Sequence, residues 1–180
     1  MPDLKETLEQ LKSEDMKNRN AAMEAAGPLG PTAVPPLAEM MKQDVRTFGR
    51  DAKLALQNIV NYSGRPGAET EAKAVTAELL KVASSADHPR FIRGDALCWV
   101  GYIGGPDAIP TLVKLLDDRV IREDARTALE RIPGDQSLAA LKKYEASGAT
   151  DFRKNIQQSI RNRGLTSQTV GLGEGSKTMS

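Results

Sequence analysis

One segment of the chain is written twice. Arg122 to Gly134 reads REDARTALERIPG, and Arg93 to Gly105 reads RGDALCWVGYIGG. Laid over each other without a gap, they share Arg, Asp, Ala, a large aliphatic residue (Leu129 or Val100), Ile and Gly. The same offsets recur more loosely outward. Asp51-Ala52 leads to Leu56 and Ile59, Asn155-Ile156 leads to Ile160, and Asn20-Ala21 leads to Ala25. The anchors are therefore Asn20, Asp51, Asp95, Asp124 and Asn155, spaced by 31, 44, 29 and 31 residues. A period near thirty residues with one insertion is the signature of a stacked array. The turn-rich stretches Asn61 to Glu69 and Ser84 to Pro89 are where the insertion is expected.

Each anchor opens an apolar stripe at helical spacing, as in Ala125, Ala128, Leu129 and Ile132. A second stripe precedes each one: Leu4, Leu8 and Leu11; Val34, Leu37, Met40 and Met41; Val75, Leu79 and Val82; Ile109, Leu112, Val113, Leu115 and Leu116; Leu138, Leu141 and Tyr144. Every unit thus reads as two short antiparallel helices, a first and a second. Pro35 and Pro110 sit in the opening turn of their first helices. Backbone N–H groups lack partners there, so proline costs little and sets the entry angle. Asp107 is placed to cap the copy that holds Pro110. No single pair can bury its stripe. A fully buried leucine gives about 2 kcal/mol, and that gain accumulates only when units touch.

Composition agrees. Aromatic residues make up 4% of the chain, and no branched-polar alternation of the kind strands need is sustained. The 25 basic residues nearly cancel the 24 acidic ones, giving a net charge of +1, which argues against a dedicated nucleic-acid binder. One cysteine, Cys98, rules out an intrachain disulfide and a cysteine-based zinc site. No apolar run reaches signal-peptide or membrane-spanning length, so the expectation is a cytoplasmic protein with no membrane partner.

With period and anchors in hand, the chain resembles the HEAT-repeat family, above all the short HEAT-like repeats first noted in phycobilisome lyases. The carriers are DAIPTLVKLL followed by VIREDARTALERIPG, and AVPPLAEMM followed by DAKLALQNI. The ankyrin TPLHxA signature and the Trp-Leu-Gly-Tyr pattern of tetratricopeptide repeats are absent. The resemblance implies an all-α, right-handed α-solenoid of about five antiparallel helix pairs over residues 1–164, with the second helices lining the concave side. Residues 165–180, rich in Gly, Ser and Thr, read as a flexible tail or linker. What is implied is architecture, not chemistry. One enzyme of the family, deoxyhypusine hydroxylase, holds iron through His-Glu pairs; this chain has none, which excludes that activity.

Candidate function lies where a repeat departs from its sisters. Trp99 stands in the register of Ala55, Ala128 and Ser159, and Tyr102 in that of Asn58, Arg131 and Asn162. For Trp99, core filling and an exposed anchor are both open; for Tyr102 exposure is expected. Gly94 and Gly101 in the same helix imply close approach of a neighbour or room for Trp99. Arg46, Arg50, Arg93, Arg122, Arg126, Arg153 and Arg161 fall on or beside second helices. They form either a basic ladder aimed at an acidic partner segment or a structural ladder paired with Asp95, Asp117, Asp118 and Asp124. The recurrence of Asp with Arg favours the structural ladder, with Arg50 and Arg126 least bound by it. Residues 1–30 carry −2 and residues 135–164 carry +3. His88, without a second His or Cys, reads as an exposed turn residue, and Cys98 as a small buried hydrophobe.

The functional expectation is a non-enzymatic protein–protein interaction scaffold. It would bind a protein partner on the concave face of the solenoid through Arg50, Arg93, Trp99, Tyr102, Arg126 and Arg131, with no catalytic residue, metal or cofactor. The alternative is a lyase-type or chaperone subunit of an enzyme acting on a bound chromophore or small ligand, with an apolar pocket near Trp99 and Cys98.

Overall fold

The computed structural model describes residues 2–43 and 47–174, with side chains described as far as residue 164. Ten α-helices and no strand occur among the described residues. They are α1 (Leu4–Gln10), α2 (Met16–Ala25), α3 (Val34–Met40), α4 (Phe48–Ser63), α5 (Glu69–Ser84), α6 (Arg90–Ile103), α7 (Ile109–Leu115), α8 (Arg122–Arg131), α9 (Asp135–Ser147) and α10 (Arg153–Glu174). α10 runs ten residues into the segment read as a flexible tail. The end of that segment, 175–180, lies outside the described residues.

Consecutive helices pack as five pairs, α1 on α2 through α9 on α10. The second helices form a continuous row, α2–α4–α6–α8–α10. In the first-helix layer α3 packs on α5 and α7 on α9, and α5 meets the short 3-10 turn Pro106–Ala108 that leads into α7. The chain is thus an all-α stack of helix pairs in two layers.

The core follows the anchors. One, four, five and eight residues after each anchor lie Ala52, Ala55, Leu56 and Ile59 in α4, and Ala125, Ala128, Leu129 and Ile132 in α8, all buried. In α2 the buried pair is Ala22 and Ala26, while Ala21 and Ala25 are exposed. The true counterpart of the anchor there is Ala21, one residue later than the sequence alignment put it. A weakly amphipathic capping helix gives the alignment little to hold.

The insertion is also placed differently from expectation. α5 has 16 residues where α3 and α7 have 7 each, and α4 has 16 where α2 and α8 have 10 each. The extra chain lengthens two helices rather than filling loops. Pro35 and Pro110 stand in opening turns as expected. Asp107 does not cap α7, which has no side-chain cap; its carboxylate pairs with Lys73 of α5 at 2.7 Å.

Candidate functional site

The outer edge of the second-helix row is built by ties between successive repeats. At its N-terminal tier the anchors accept from the preceding helix. Arg19 Nε reaches Asp51 at 2.8 Å, Lys53 Nζ reaches Asp95 at 2.7 Å, and Arg90 reaches Asp124 at 2.9 Å. The last anchor, Asn155, donates instead to Glu123. The recurring Asp is therefore an inter-repeat staple, which is why it marked the period.

A second tier lies seven residues on, about two helical turns. Asn58 donates back to the Met23 carbonyl at 2.8 Å. Arg131 Nη1 reaches back to Cys98 Sγ at 3.5 Å. Asn162 donates back to Glu130 Oε1 at 2.9 Å. Tyr102 holds the same position in α6 and breaks the rule. Its side chain is 66% exposed and makes no hydrogen bond back to α4 among the described residues. The Arg131 guanidinium lies 4.8 Å from its ring centroid, a cation–π contact. Arg131 is held even more firmly protonated than an ordinary arginine, first by its hydrogen bond to Cys98 and then, against the cost of burial, by the nearby Tyr102 and Glu130. This places a permanent cation against an exposed aromatic face.

The other expected site residues divide. Trp99 is 6% exposed and belongs to the core, so the filling role holds and an anchor role does not. The α6 glycines serve contact with α8 instead. A Cβ on Gly101 would stand 3.2 Å from Ala128 Cα of α8, the mark of close helix approach. Arg93 is also buried, at 6%. Its Nε donates to the Ala83 carbonyl at 2.7 Å and its Nη2 to Asp118 Oδ2 at 2.5 Å, tying the end of α5 to the α7–α8 turn.

Arg126 is committed as well. It bonds Glu123 at 2.8 Å, Glu130 at 3.0 Å and Ser159 Oγ at 2.5 Å, a strut between α8 and α10. Arg50 is exposed and has no hydrogen bond or ion pair among the described residues. Arg46 lies outside the described residues. Arg122 meets Asp151 at 3.0 Å and covers Phe152 at 4.5 Å, Arg153 donates to the Glu145 carbonyl, and Arg161 donates to Gln158. Of the six expected residues, Arg50, Tyr102 and Arg131 are exposed, Arg93 and Trp99 are buried, and Arg126 is tied between α8 and α10.

Two smaller expectations change. The His88 side chain is only 10% exposed, with Nε2 3.8 Å from Glu39 Oε1, because the loop folds it against α3. Cys98 is half-buried rather than buried, since it borders Arg131 on the outer row. No group of three or more His, Cys, Asp or Glu side chains able to hold a metal occurs among the described residues. No helix among them is long and apolar enough to cross a membrane. An apolar groove of about 430 Å³ lies between α5 and the α7 entry, lined by Ala72, Thr76, Leu80, Ile103, Pro106 and Ala108 among others.

Sequence signals had marked Tyr102 and Arg131. They missed Phe91, 42% exposed, and Val120, 55% exposed. Both stand four residues before an anchor. They are not among the residues the repeats share, so the alignment of shared residues does not mark them.

Residues 92–118 match the family model of the PBS lyase HEAT-like repeat. No curated protein matches the chain in sequence. Among solved structures, an engineered protein is 19% identical, covering 91% of this chain and 80% of its own, with a TM-score of 0.42. A designed armadillo repeat protein, solved in complex with the peptide (KR)4, is 18% identical, covering 98% and 94%, with a TM-score of 0.40.

Proposed function

We propose that this helical-repeat scaffold binds a protein partner on the outer edge of its second-helix row, without catalysis of its own and in the cytoplasm. The observation that supports the reading is Tyr102. In α4, α8 and α10 its position carries a side chain that ties back to the preceding second helix. In α6 the tie is given up and a large amphipathic ring is left in water beside a permanent cation. Exposed Tyr with a stacked Arg is the chemistry of an interface hot spot. Arg50, exposed and without an ion pair among the described residues, adds a cation to the same row. The alternative, a subunit acting on a bound chromophore or small ligand, called for an apolar pocket beside Trp99 and Cys98. The 430 Å³ groove lies instead between α5 and α7 and includes neither residue.

The test places a photo-crosslinking phenylalanine analogue at position 102 and, as a control, at Lys114 of the first-helix layer, in cells that make the full chain. A discrete protein adduct from position 102, absent from position 114 and weakened by Arg131→Ala, supports the reading. Equal adducts from both positions, or none from 102, would overturn it. Trp99→Ala should lower thermal stability, by about 3–5 kcal/mol for a large buried aromatic, whereas Tyr102→Ala should leave stability within about 0.5 kcal/mol.

A further inference from the structure

Granted that the second-helix row is the partner surface, we propose that its N-terminal rim between α6 and α8 is a docking strip for an extended acidic segment of a protein. That segment carries apolar side chains three residues apart. Two dipeptides build the strip. Arg90-Phe91 and Arg119-Val120 stand five and four residues before the anchors Asp95 and Asp124, the same register in neighbouring repeats. All four side chains are open to solvent: Phe91 is 42% and Val120 55% exposed, and the arginine side chains are 59% and 81% exposed. At this register the first repeat has Asp15-Met16, the second Arg46-Thr47 and the last Thr150-Asp151, so Arg followed by an apolar residue occurs in these two units only.

The two rows adjoin. Arg90 crosses from α6 to Asp124 of α8 at 2.9 Å. Val120 is held in place because its amide donates to Asp118 Oδ1 at 2.9 Å. Charge selects the occupant. Asp151 is shared, taking Arg122 at 3.0 Å and leaving Arg119 at 4.0 Å. Arg119 is therefore loosely held, and the exposed Arg90 pair is weak in water. The Arg119 guanidinium is available to an incoming carboxylate as a bidentate fork, and Arg90, which spends only Nη2 on Asp124, offers its remaining donors.

Geometry selects the spacing. Packed helices stand roughly 8–10 Å apart. A polyproline-II segment returns to the same face every three residues, a step of about 9 Å. Two apolar side chains three apart can thus seat on Phe91 and Val120 while intervening acids reach Arg90 and Arg119. A β-strand repeats its face at about 7 Å and then about 13 Å, and misses both.

The experiment measures fluorescence polarisation of a fluorescein-labelled synthetic peptide in which two leucines three residues apart are flanked by glutamates. The full chain is titrated at low salt. Saturable binding is expected, weakened at least about tenfold by Phe91→Ser with Val120→Ser, and separately by Arg119→Glu. A peptide of the same composition with adjacent leucines should bind at least about tenfold more weakly. All these variants alter exposed residues, and far-UV circular dichroism melts confirm that they fold.

Three results would overturn the proposal: no saturable binding of the acidic peptide; binding unchanged by the rim variants; or equally tight rim-dependent binding of a single-stranded oligonucleotide of equal charge. Binding that ignores the rim variants but falls with Tyr102→Ala would sink the strip while leaving the partner surface standing. Failure of the partner-surface reading itself shows in the position-102 crosslink, which does not depend on this peptide.

Discussion

Replacing Arg93 with Met tests whether a buried cation, and not only apolar stacking, joins the third helix pair to the fourth. Methionine keeps most of the apolar stem. It removes the donors that satisfy the Ala83 carbonyl at 2.7 Å and Asp118 Oδ2 at 2.5 Å. Taking one partner from a buried ion pair costs roughly 3–5 kcal/mol, because the other charge stays buried. Asp118 is 30% exposed and can partly rehydrate, so the expected loss is about 2–3 kcal/mol. For a chain of this size that is a melting shift of roughly 5–10 °C. Trp99, the one tryptophan, lies buried on the same helix and reports the transition.

Acid gives a second readout of the same contact. Burial alone would raise the Asp118 carboxyl, but the Arg93 hydrogen bond, the Val120 amide and the Arg93 charge outweigh it and hold it below its ordinary value. The folded state thus binds fewer protons here than the unfolded chain. The stabilisation is complete above the unfolded carboxylate value and drains as pH falls through the lower folded one. Without Arg93 that depression goes, so the gap between wild type and variant should narrow in this acid window. Urea titrations across pH measure it. A loss below about 0.5 kcal/mol at neutral pH, or a gap that stays flat into acid, would refute the reasoning.

Two glycines of α6 make a matched pair. Gly101→Ala gains about 1 kcal/mol of helix propensity but sets a Cβ 3.2 Å from the Ala128 backbone and 3.1 Å from Arg131 Cδ, so a net loss of about 1–2 kcal/mol is expected. Gly94→Ala meets only Asp124 Oδ2 at 3.4 Å, an ordinary contact, and should stabilise by up to about 1 kcal/mol; urea midpoints in the opposite order would contradict this packing. The His88 imidazole is held below its ordinary value, first by burial and then by the Lys42 charge, against the pull of Glu39 and Asp87. Its contribution is therefore complete above the ordinary histidine range and drains as pH falls through the folded value. His88→Gln should flatten the pH dependence of melting in that window, and an unchanged slope would place its source elsewhere.

The architecture was legible because it is written in repeats. The anchor Asp and the stripe behind it mark both a helix face and a staple, so one alignment located the second helices and their core residues. α2 slipped by a residue because Asn20-Ala21 and its neighbours offer several alanines and no large apolar side chain. The site was less legible, for a physical reason. Position seven after the anchor carries a polar or aromatic side chain in the last four repeats, but sequence does not say whether that side chain reaches a neighbour. Arg131 reaches Cys98, whereas Tyr102 stays 66% exposed. Arg93 and Arg50 look alike in the chain. One is buried because the α7–α8 turn presents Asp118 across twenty-five residues of separation, a contact that no local pattern encodes.

Each interface of the second-helix row is held by apolar packing plus polar tiers, and the tiers are unequal. Between α2 and α4 both are present, Arg19 to Asp51 and Asn58 to Met23. Between α8 and α10 they are reinforced by Arg126, Glu130 and Ser159. Between α4 and α6 the anchor tie remains, Lys53 to Asp95, but Tyr102 contributes no tie of its own. That is also the junction where α4 and α5 are lengthened. Longer helices bury more apolar surface, here through Val60 in the added end of α4, and so offset part of the missing rung. Natural chains break a local rule where function asks for it and recover the stability elsewhere. On the partner-surface reading proposed above, the lengthened pair and the freed tyrosine have one explanation: burial gained beside α6 offsets part of the rung that Tyr102 gives up.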